Sequence, residues 1–324
     1  MRSVGFWFQK LGWVGLLVLI SACSPVPGQG MGGSPQPAGT EPAPASPTLT
    51  PTLFRPEVDQ EAVRTRIPPT RASPTAAPET PVQPEEEIMK IIILVDNHPY
   101  RKGMETSWGF SALVAFRESL ILFDTGGDGA LLLRNMERMG VDPASIQAVV
   151  LSHPHRDHTG GLSSLLGAGS RPVVYIPPSF PRSWEEQIGS QTKLVRTQPG
   201  DQIGERIFTT GEIPGAPPEQ ALILDLPQGV GVITGCAHPG VVEMVREAKR
   251  QLHEQPFLIL GGFHLHQAGD RQILHAVRGL QRLGVELVGP GHCSGERARA
   301  LFSERFQEGY LELGAGRIIE LEVR

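Results

Sequence analysis

The part of the chain from about residue 88 to 324 is predicted to form an α/β domain in which two mixed sheets pack together, with helices on their outer faces. Three observations predict it. Apolar runs come first and then alternate with helical patterns, the order expected of sheets covered by helices. The segment is long enough to bury a sizeable core. The first quarter is kept out of that core by composition, because half of the 30 prolines fall between Pro25 and Pro84.

The elements follow in order. Short runs rich in Val, Ile, Leu and Phe mark strands at 88–95, 110–116, 119–123, 148–151 and 172–176. Further runs mark strands at 221–226, 230–234, 256–260, 286–288 and 317–323. Apolar residues at helical spacing mark helices at 130–139, 161–166, 241–251, 271–283 and 295–308. The loops at 177–184 and 211–220 are expected to shape a pocket; Phe180 and Trp184 are available to stack on a ring, although aromatic residues in a loop are more often small hydrophobic anchors.

Ahead of the domain the chain reads as an export signal and a tether. Arg2 and Lys10 supply positive charge around a short apolar stretch at 11–20, and Ile20-Ser21-Ala22-Cys23 places small residues before a cysteine. That stretch is shorter than the roughly 20 residues a comfortable membrane span needs. The pattern resembles a bacterial lipoprotein signal, which implies that Cys23 is lipidated and that the protein is membrane-anchored on the extracytoplasmic side. Residues 24–87, rich in Pro, Thr, Ala, Ser and Gly, are expected to be a disordered, semi-stiff linker. The net charge of −5 and the lack of a basic stripe argue against nucleic acid as a partner. Three cysteines are too few for a disulfide framework.

The densest chemistry is the run His153-Pro-His155-Arg-Asp157-His158, directly after the apolar 148–151 segment. Imidazole nitrogens and carboxylate oxygens are the usual protein ligands of zinc. His153 and His155 are two apart, so on extended backbone their side chains share a face. Pro154 favours that extended conformation in the residue before it. Asp157 and His158 follow on the turn and can serve a neighbouring ion.

With its surroundings, this run resembles the metallo-β-lactamase fold superfamily, whose hallmark is HxHxDH after a strand. Residues 122–126 (LFDTG) and 152–161 (SHPHRDHTGG) carry the likeness. Residues 210–214 (TGEIP), 235–240 (GCAHPG), 261–265 (GGFHL) and 289–295 (GPGHCSG) resemble the branch named for dihydropterin ribofuranosylaminobenzene-phosphate synthase. The resemblance implies an αβ/βα sandwich with a two-metal site along one sheet edge. By it, His153, His155 and His238 would hold one ion, and Asp157, His158 and His292 the other. Asp124 would support the metal loop by accepting an imidazole N–H. The ions implied are two divalent metals, zinc foremost, with manganese or iron as alternatives.

The chain departs from the common pattern at one position. Thr234-Gly235-Cys236 stands where Thr-Gly-Asp would place a bridging carboxylate. Cys236 either bridges as a thiolate or packs as a small buried group, and packing is the expectation, since buried cysteine is common. Cys293 beside His292 could pair with Cys236 in an oxidising compartment if the fold brings them within disulfide distance. His264, after a glycine pair, is read as a substrate contact or proton donor, with ligation or a structural role as alternatives; His266 is a weaker candidate. His98, His253 and His275 are read as surface or satisfied histidines.

A paired site of this kind supplies an activated water, so no serine or cysteine nucleophile is required. The expected function is hydrolysis of a phosphoester, lactone or other ester of a small molecule outside the cytoplasm, with Asp157 and His264 in catalytic roles. An iron-dependent oxidoreductase on the same fold, or a non-catalytic metal-containing binding module, is the alternative.

Overall fold

The computed structural model describes residues 87–323. The expected signal segment, its Cys23 and the Pro-rich linker up to residue 86 lie outside the described residues. Glu87, assigned above to the linker's end, already begins the first strand.

The first half of the domain holds β1 (Glu87–Val95), β2 (Ser111–Phe116), β3 (Ser119–Phe123), α1 (Gly129–Arg138), β4 (Ala148–Val150), α2 (Arg156–Thr159), α3 (Leu162–Gly167), β5 (Val173–Ile176), α4 (Arg182–Gly189) and β6 (Leu194–Arg196). The second half holds β7 (Gln202–Gly204), β8 (Ile207–Thr209), β9 (Leu222–Leu226), β10 (Gly229–Thr234), α5 (Val241–Leu252), β11 (Pro256–Gly262), α6 (Asp270–Leu283), β12 (Leu287–Gly291), α7 (Glu296–Phe306) and β13 (Ile318–Val323). One sheet has the order β13-β1-β2-β3-β4-β5-β6 and the other β12-β11-β10-β9-β8-β7. Both are mixed, so the expected architecture of two mixed sheets flanked by helices is the one observed.

Alternation along the strands builds the layers. In β3, Ile121 and Phe123 face the space between the sheets, while Leu122 faces outward. In β10, Ile233 faces the other sheet and Val232 faces the helices. The inner core packs Ile91, Phe110, Val114 and Phe123 against Leu222, Leu224, Leu258 and Leu260. Outside the second sheet, Met244 and Val245 of α5, Ile273 and Val277 of α6 and Phe302 of α7 cover Val232 and Ile259. Outside the first, Leu132 and Met136 of α1 and Leu165 of α3 cover Leu122 and Val149. Among the described residues no helix is long and apolar enough to cross a membrane.

Between 182 and 209 the structure holds elements the sequence pattern did not mark. α4 presents one fully buried apolar side chain, Ile188, and β6, β7 and β8 are three residues each. Such short strands exist because a neighbouring strand pairs with them, and they carry too few residues for a period to register. Of the two readings of Phe180 and Trp184, the anchoring one holds. Their rings meet at 5.1 Å, Phe180 is 2% exposed, and both join the core outside the first sheet. They anchor α4 and are not a platform at the site.

Strand direction positions the chemistry. β3 runs parallel to β4, and β10, β11 and β12 run parallel to one another. Within each set the strands therefore end at a common edge, and the chain leaves them at Asp124, Leu151, Gly235, Phe263 and His292.

Candidate metal centre

The side chains at these strand ends converge into one cluster. The rings of His153, His155 and His238 lie 4.6–5.0 Å apart by centroid. His158 and His292 lie 5.0 Å apart on the other side, with His158 also 4.2 Å from His153. Ligand atoms of Asp157, His158, Cys236 and His292 all fall within 4.8 Å of one another, as do those of His153, Cys236 and His238. The structure thus brings together His153, His155, Asp157, His158, His238 and His292. His155 is the exposed member of the set.

Each buried imidazole is tied at Nδ1. Asp124 Oδ1 accepts from the Ser152 backbone N–H at 2.7 Å, and Oδ2 accepts from Ser152 Oγ at 2.7 Å. The hydroxyl has one proton and gives it to the carboxylate. At 2.8 Å, the bond between His153 Nδ1 and Ser152 Oγ is then donated by the imidazole, which assigns the His153 proton to Nδ1. His158 Nδ1 donates to Asp124 Oδ2 at 2.6 Å, and His238 Nδ1 to Glu219 Oε2 at 2.8 Å. His292 Nδ1 donates to the amide oxygen of Asn97 at 3.1 Å. All four Nε2 lone pairs remain for the cluster centre, the arrangement that orients imidazole ligands in metal sites.

These residues fit divalent ions on a direct test. His153 Nε2 and His292 Nε2 are buried and without a hydrogen-bond partner. A buried polar atom left unpaired is costly, and a cation at the centre would satisfy both. Burial, foremost among its causes, holds the His153 and His158 imidazoles down to about 3, so they are neutral near pH 7 and able to ligate. Burial opposes ionisation of Asp157, yet the nearby His292 ring, its Nε2 3.3 Å from Oδ2, and the field of His158 keep its carboxyl well below the ordinary carboxylate range. Burial pushes Asp124 up to about 7 despite its three donors.

Several residues of the site escaped the sequence reading. Glu219, fully buried, accepts at Oε1 from the backbone N–H groups of Gly235, Cys236 and Ala237 at 3.1, 2.8 and 2.9 Å. Its Oε2 accepts from the His238 backbone N–H at 3.0 Å as well as from the ring. The whole 235–238 turn is wound around one carboxylate. Its only forewarning was its place in the 211–220 loop. Asp96 Oδ2 takes the His292 backbone N–H at 2.9 Å. Trp108, 54% exposed, sets its ring edge against His292 at 5.1 Å and His266 at 5.7 Å.

Cys236 and Cys293 are both buried free thiols and form no disulfide. Cys236 is buried, as expected, and its Sγ also belongs to both ligand groups and lies 3.2 Å from His158 Nε2. Glycine is needed beside it, because a Cβ on Gly235 would stand 2.1 Å from Ser152 Oγ. Asp124, Ala237, His264 and His292 hold positive φ of 55°, 61°, 53° and 44°, so the strand-end turns are strained towards this edge.

His264 stands exposed at the rim, its ring 4.5 Å from His238 and 5.6 Å from His266. A cleft of about 390 Å³ opens there, lined by His238, Phe263, His264, Arg246 and His275 among others. His98 lies 3.3 Å from Glu296, and His253 caps the end of α5; neither belongs to a ligand group.

Known proteins match this arrangement. A synthase from Methanocaldococcus jannaschii, 7,8-dihydropterin-6-methyl-4-(beta-D-ribofuranosyl)-aminobenzene-5'-phosphate synthase, is 28% identical over 289 residues, covering 72% of this chain and 96% of that protein. The crystal structure of Tm1679, a metal-dependent hydrolase of the β-lactamase superfamily, is similar at a TM-score of 0.62 and 27% identity, over 72% of this chain and 99% of that one. YhfI from Bacillus subtilis, a metallo-β-lactamase fold protein, shares the fold at a TM-score of 0.56 and 16% identity, over 72% and 99% of the two chains. The family pattern described as the metallo-beta-lactamase superfamily matches residues 109–292, from the loop before β2 to the last histidine of the cluster. With its two sheets, outer helices and histidine-rich strand ends, the chain belongs to the metallo-β-lactamase superfamily.

Proposed function

We propose that this chain is a metal-dependent hydrolase that holds two divalent ions, zinc foremost, and cleaves a phosphoester, lactone or other ester of a small molecule. The observation that carries the reading is the pair of buried, partnerless Nε2 atoms of His153 and His292, one in each ligand group. His153, His155 and His238 would hold one ion and Asp157, His158 and His292 the other. When bound, such ions supply a Lewis acid for the substrate oxygen and an acidified water.

The chain's own residues do the rest. Asp124 and Glu219 fix imidazole tautomers, so the ligand lone pairs are set before substrate arrives. Asp157, ionised and half-buried, accepts a hydrogen bond from the attacking water and orients it. His264, at the mouth of the cleft, donates a proton to the leaving oxygen. Trp108 and Arg156 line a hollow of roughly 360 Å³ beside Asp157, where a second part of the substrate can rest.

The reading extends to location. The basic residues, the short apolar stretch and the small residues before Cys23 support an exported protein held to a membrane by a lipid on Cys23. An exported chain would not meet a dihydropterin biosynthetic intermediate, so the methanogen relative's reaction is not transferred.

Metal analysis joined to a panel of phosphate and carboxylate esters tests the reading, on wild type and Asp157→Ala. The expected result is about two zinc ions per chain and turnover of one ester class, reduced at least about 100-fold in the variant. Protein that binds no divalent metal, or turnover indifferent to Asp157, overturns it. Iron with little zinc would support the oxidoreductase alternative.

A further inference from the structure

We propose that Cys236 is a metal ligand in its own right, its thiolate shared between the two ions; this rests on the two-metal reading above. Three observations carry it. Among the described residues, Cys236 Sγ is the one ligand atom that belongs to every cluster of potential ligands: with His153 and His238, with Asp157, His158 and His292, and with His264 and Cys293. A donor common to both sets of histidines occupies the position a bridging group must have.

The sulfur is also held there. Glu219 takes the backbone N–H groups of Gly235, Cys236 and Ala237, and Ala237 adopts a φ of 61°. The turn therefore cannot swing Cys236 away without breaking a fully buried carboxylate's bonds. Below it, a Cβ on Gly262 would meet Cys293 Sγ at 2.8 Å and Cys236 Cα at 3.2 Å, so the missing side chain leaves room for both sulfurs.

Finally, the two cysteines differ in what they already bind. Cys293 Sγ accepts from the His264 backbone N–H at 3.3 Å and points its own hydrogen at the Cys236 carbonyl, 3.6 Å away. Both of these bonds are to backbone, with the Cys236 and His264 side chains beside it. Cys236 Sγ instead faces the Nε2 of His158 at 3.2 Å, on the side of the ligand cluster.

Loading would break the S–H bond, release its proton to solvent and bind the sulfur lone pairs to the cations. Thiolate and Asp157 together then place two negative charges among neutral imidazoles. A soft sulfur donor favours zinc or ferrous iron over manganese or magnesium.

Cobalt(II) titration of the metal-stripped full-length chain tests this, because a cobalt-bound thiolate gives an intense near-ultraviolet charge-transfer band that nitrogen and oxygen ligands do not. The expected result is a band in wild type and in Cys293→Ser, lost in Cys236→Ser, whose cobalt content falls from about two per chain towards one. Cys236→Asp, which restores a charged bridge without sulfur, should take up about two cobalt ions and show no band. That guards against reading a misfolded serine variant as support. Wild type that binds two cobalt ions without the band overturns the inference and leaves the hydrolase reading standing. A band that survives in Cys236→Ser, or vanishes only in Cys293→Ser, overturns it as well. Wild type that binds no cobalt or zinc takes both readings down.

Discussion

Replacing Glu219 by Gln isolates the carboxylate around which the 235–238 turn is built. The amide oxygen can take the place of Oε1 and keep the backbone N–H groups of Gly235, Cys236 and Ala237. The amide nitrogen then faces two donors, the His238 backbone N–H at 3.0 Å and ring Nδ1 at 2.8 Å. Two bonds to a charged acceptor are lost, at about 1.5–3 kcal/mol each. His238 recovers one neutral bond of about 1 kcal/mol by moving its proton to Nε2 and accepting at Nδ1. The net loss is about 3 kcal/mol. That tautomer also caps the nitrogen meant for metal, so zinc affinity should fall about 10–100-fold. Titration gives an independent figure. Burial opposes ionisation, but the His238 ring bond and the backbone donors hold the Glu219 carboxyl at about 2 against its ordinary 4.5. This depression corresponds to about 3 kcal/mol of stability. It is present above pH 4.5 and lost as pH falls from there towards 2. Urea unfolding of metal-stripped protein across that window, with zinc competition against a chromophoric chelator, measures both effects. A Glu219→Gln variant that keeps the wild-type midpoint and the wild-type zinc affinity would refute the reasoning.

Two further outcomes follow from the same geometry. In His264→Asn, metal content should stay unchanged while kcat falls about 100-fold on alkyl esters and far less on nitrophenyl esters, whose leaving group needs no proton; an equal fall on both would deny His264 the role of acid. In Gly235→Ala, the new Cβ meets Ser152 Oγ at 2.1 Å and Asp124 Oδ2 at 2.8 Å. That overpacking should cost about 1–3 kcal/mol, read as a lower melting temperature with weaker metal retention.

What could be read from the chain depended on whether the signal was contiguous. His153, His155, Asp157 and His158 sit within six residues; His238 and His292 were nominated by the family resemblance, with strand-end placement choosing among the later histidines. The long strands showed themselves because burial alternates along them, as in β13, whose residues are exposed and buried in turn. Glu219 showed nothing, since a single loop glutamate has no local pattern and its partners lie 16–19 residues away on a turn. Asn97 and Asp96 are remoter still, reaching His292 across 195 and 196 residues. The choice between bridging and packing at Cys236 stayed open because sequence gives a cysteine's neighbours along the chain and not the direction of its sulfur.

The left-handed backbone at Asp124, Ala237, His264 and His292 bears on how this protein responds to selection for robustness. Each such residue is held at a disadvantage on the order of 1 kcal/mol that a glycine would not suffer. Glycine at any of the four would relax the chain, and at three of them it would also erase a side chain the chemistry uses. Ala237 alone offers relief without that loss, and even there the turn would gain freedom to wander. A search for heat-resistant variants will therefore find some of its easiest gains at the very corners that aim the imidazoles, and hardiness and turnover should part company there first.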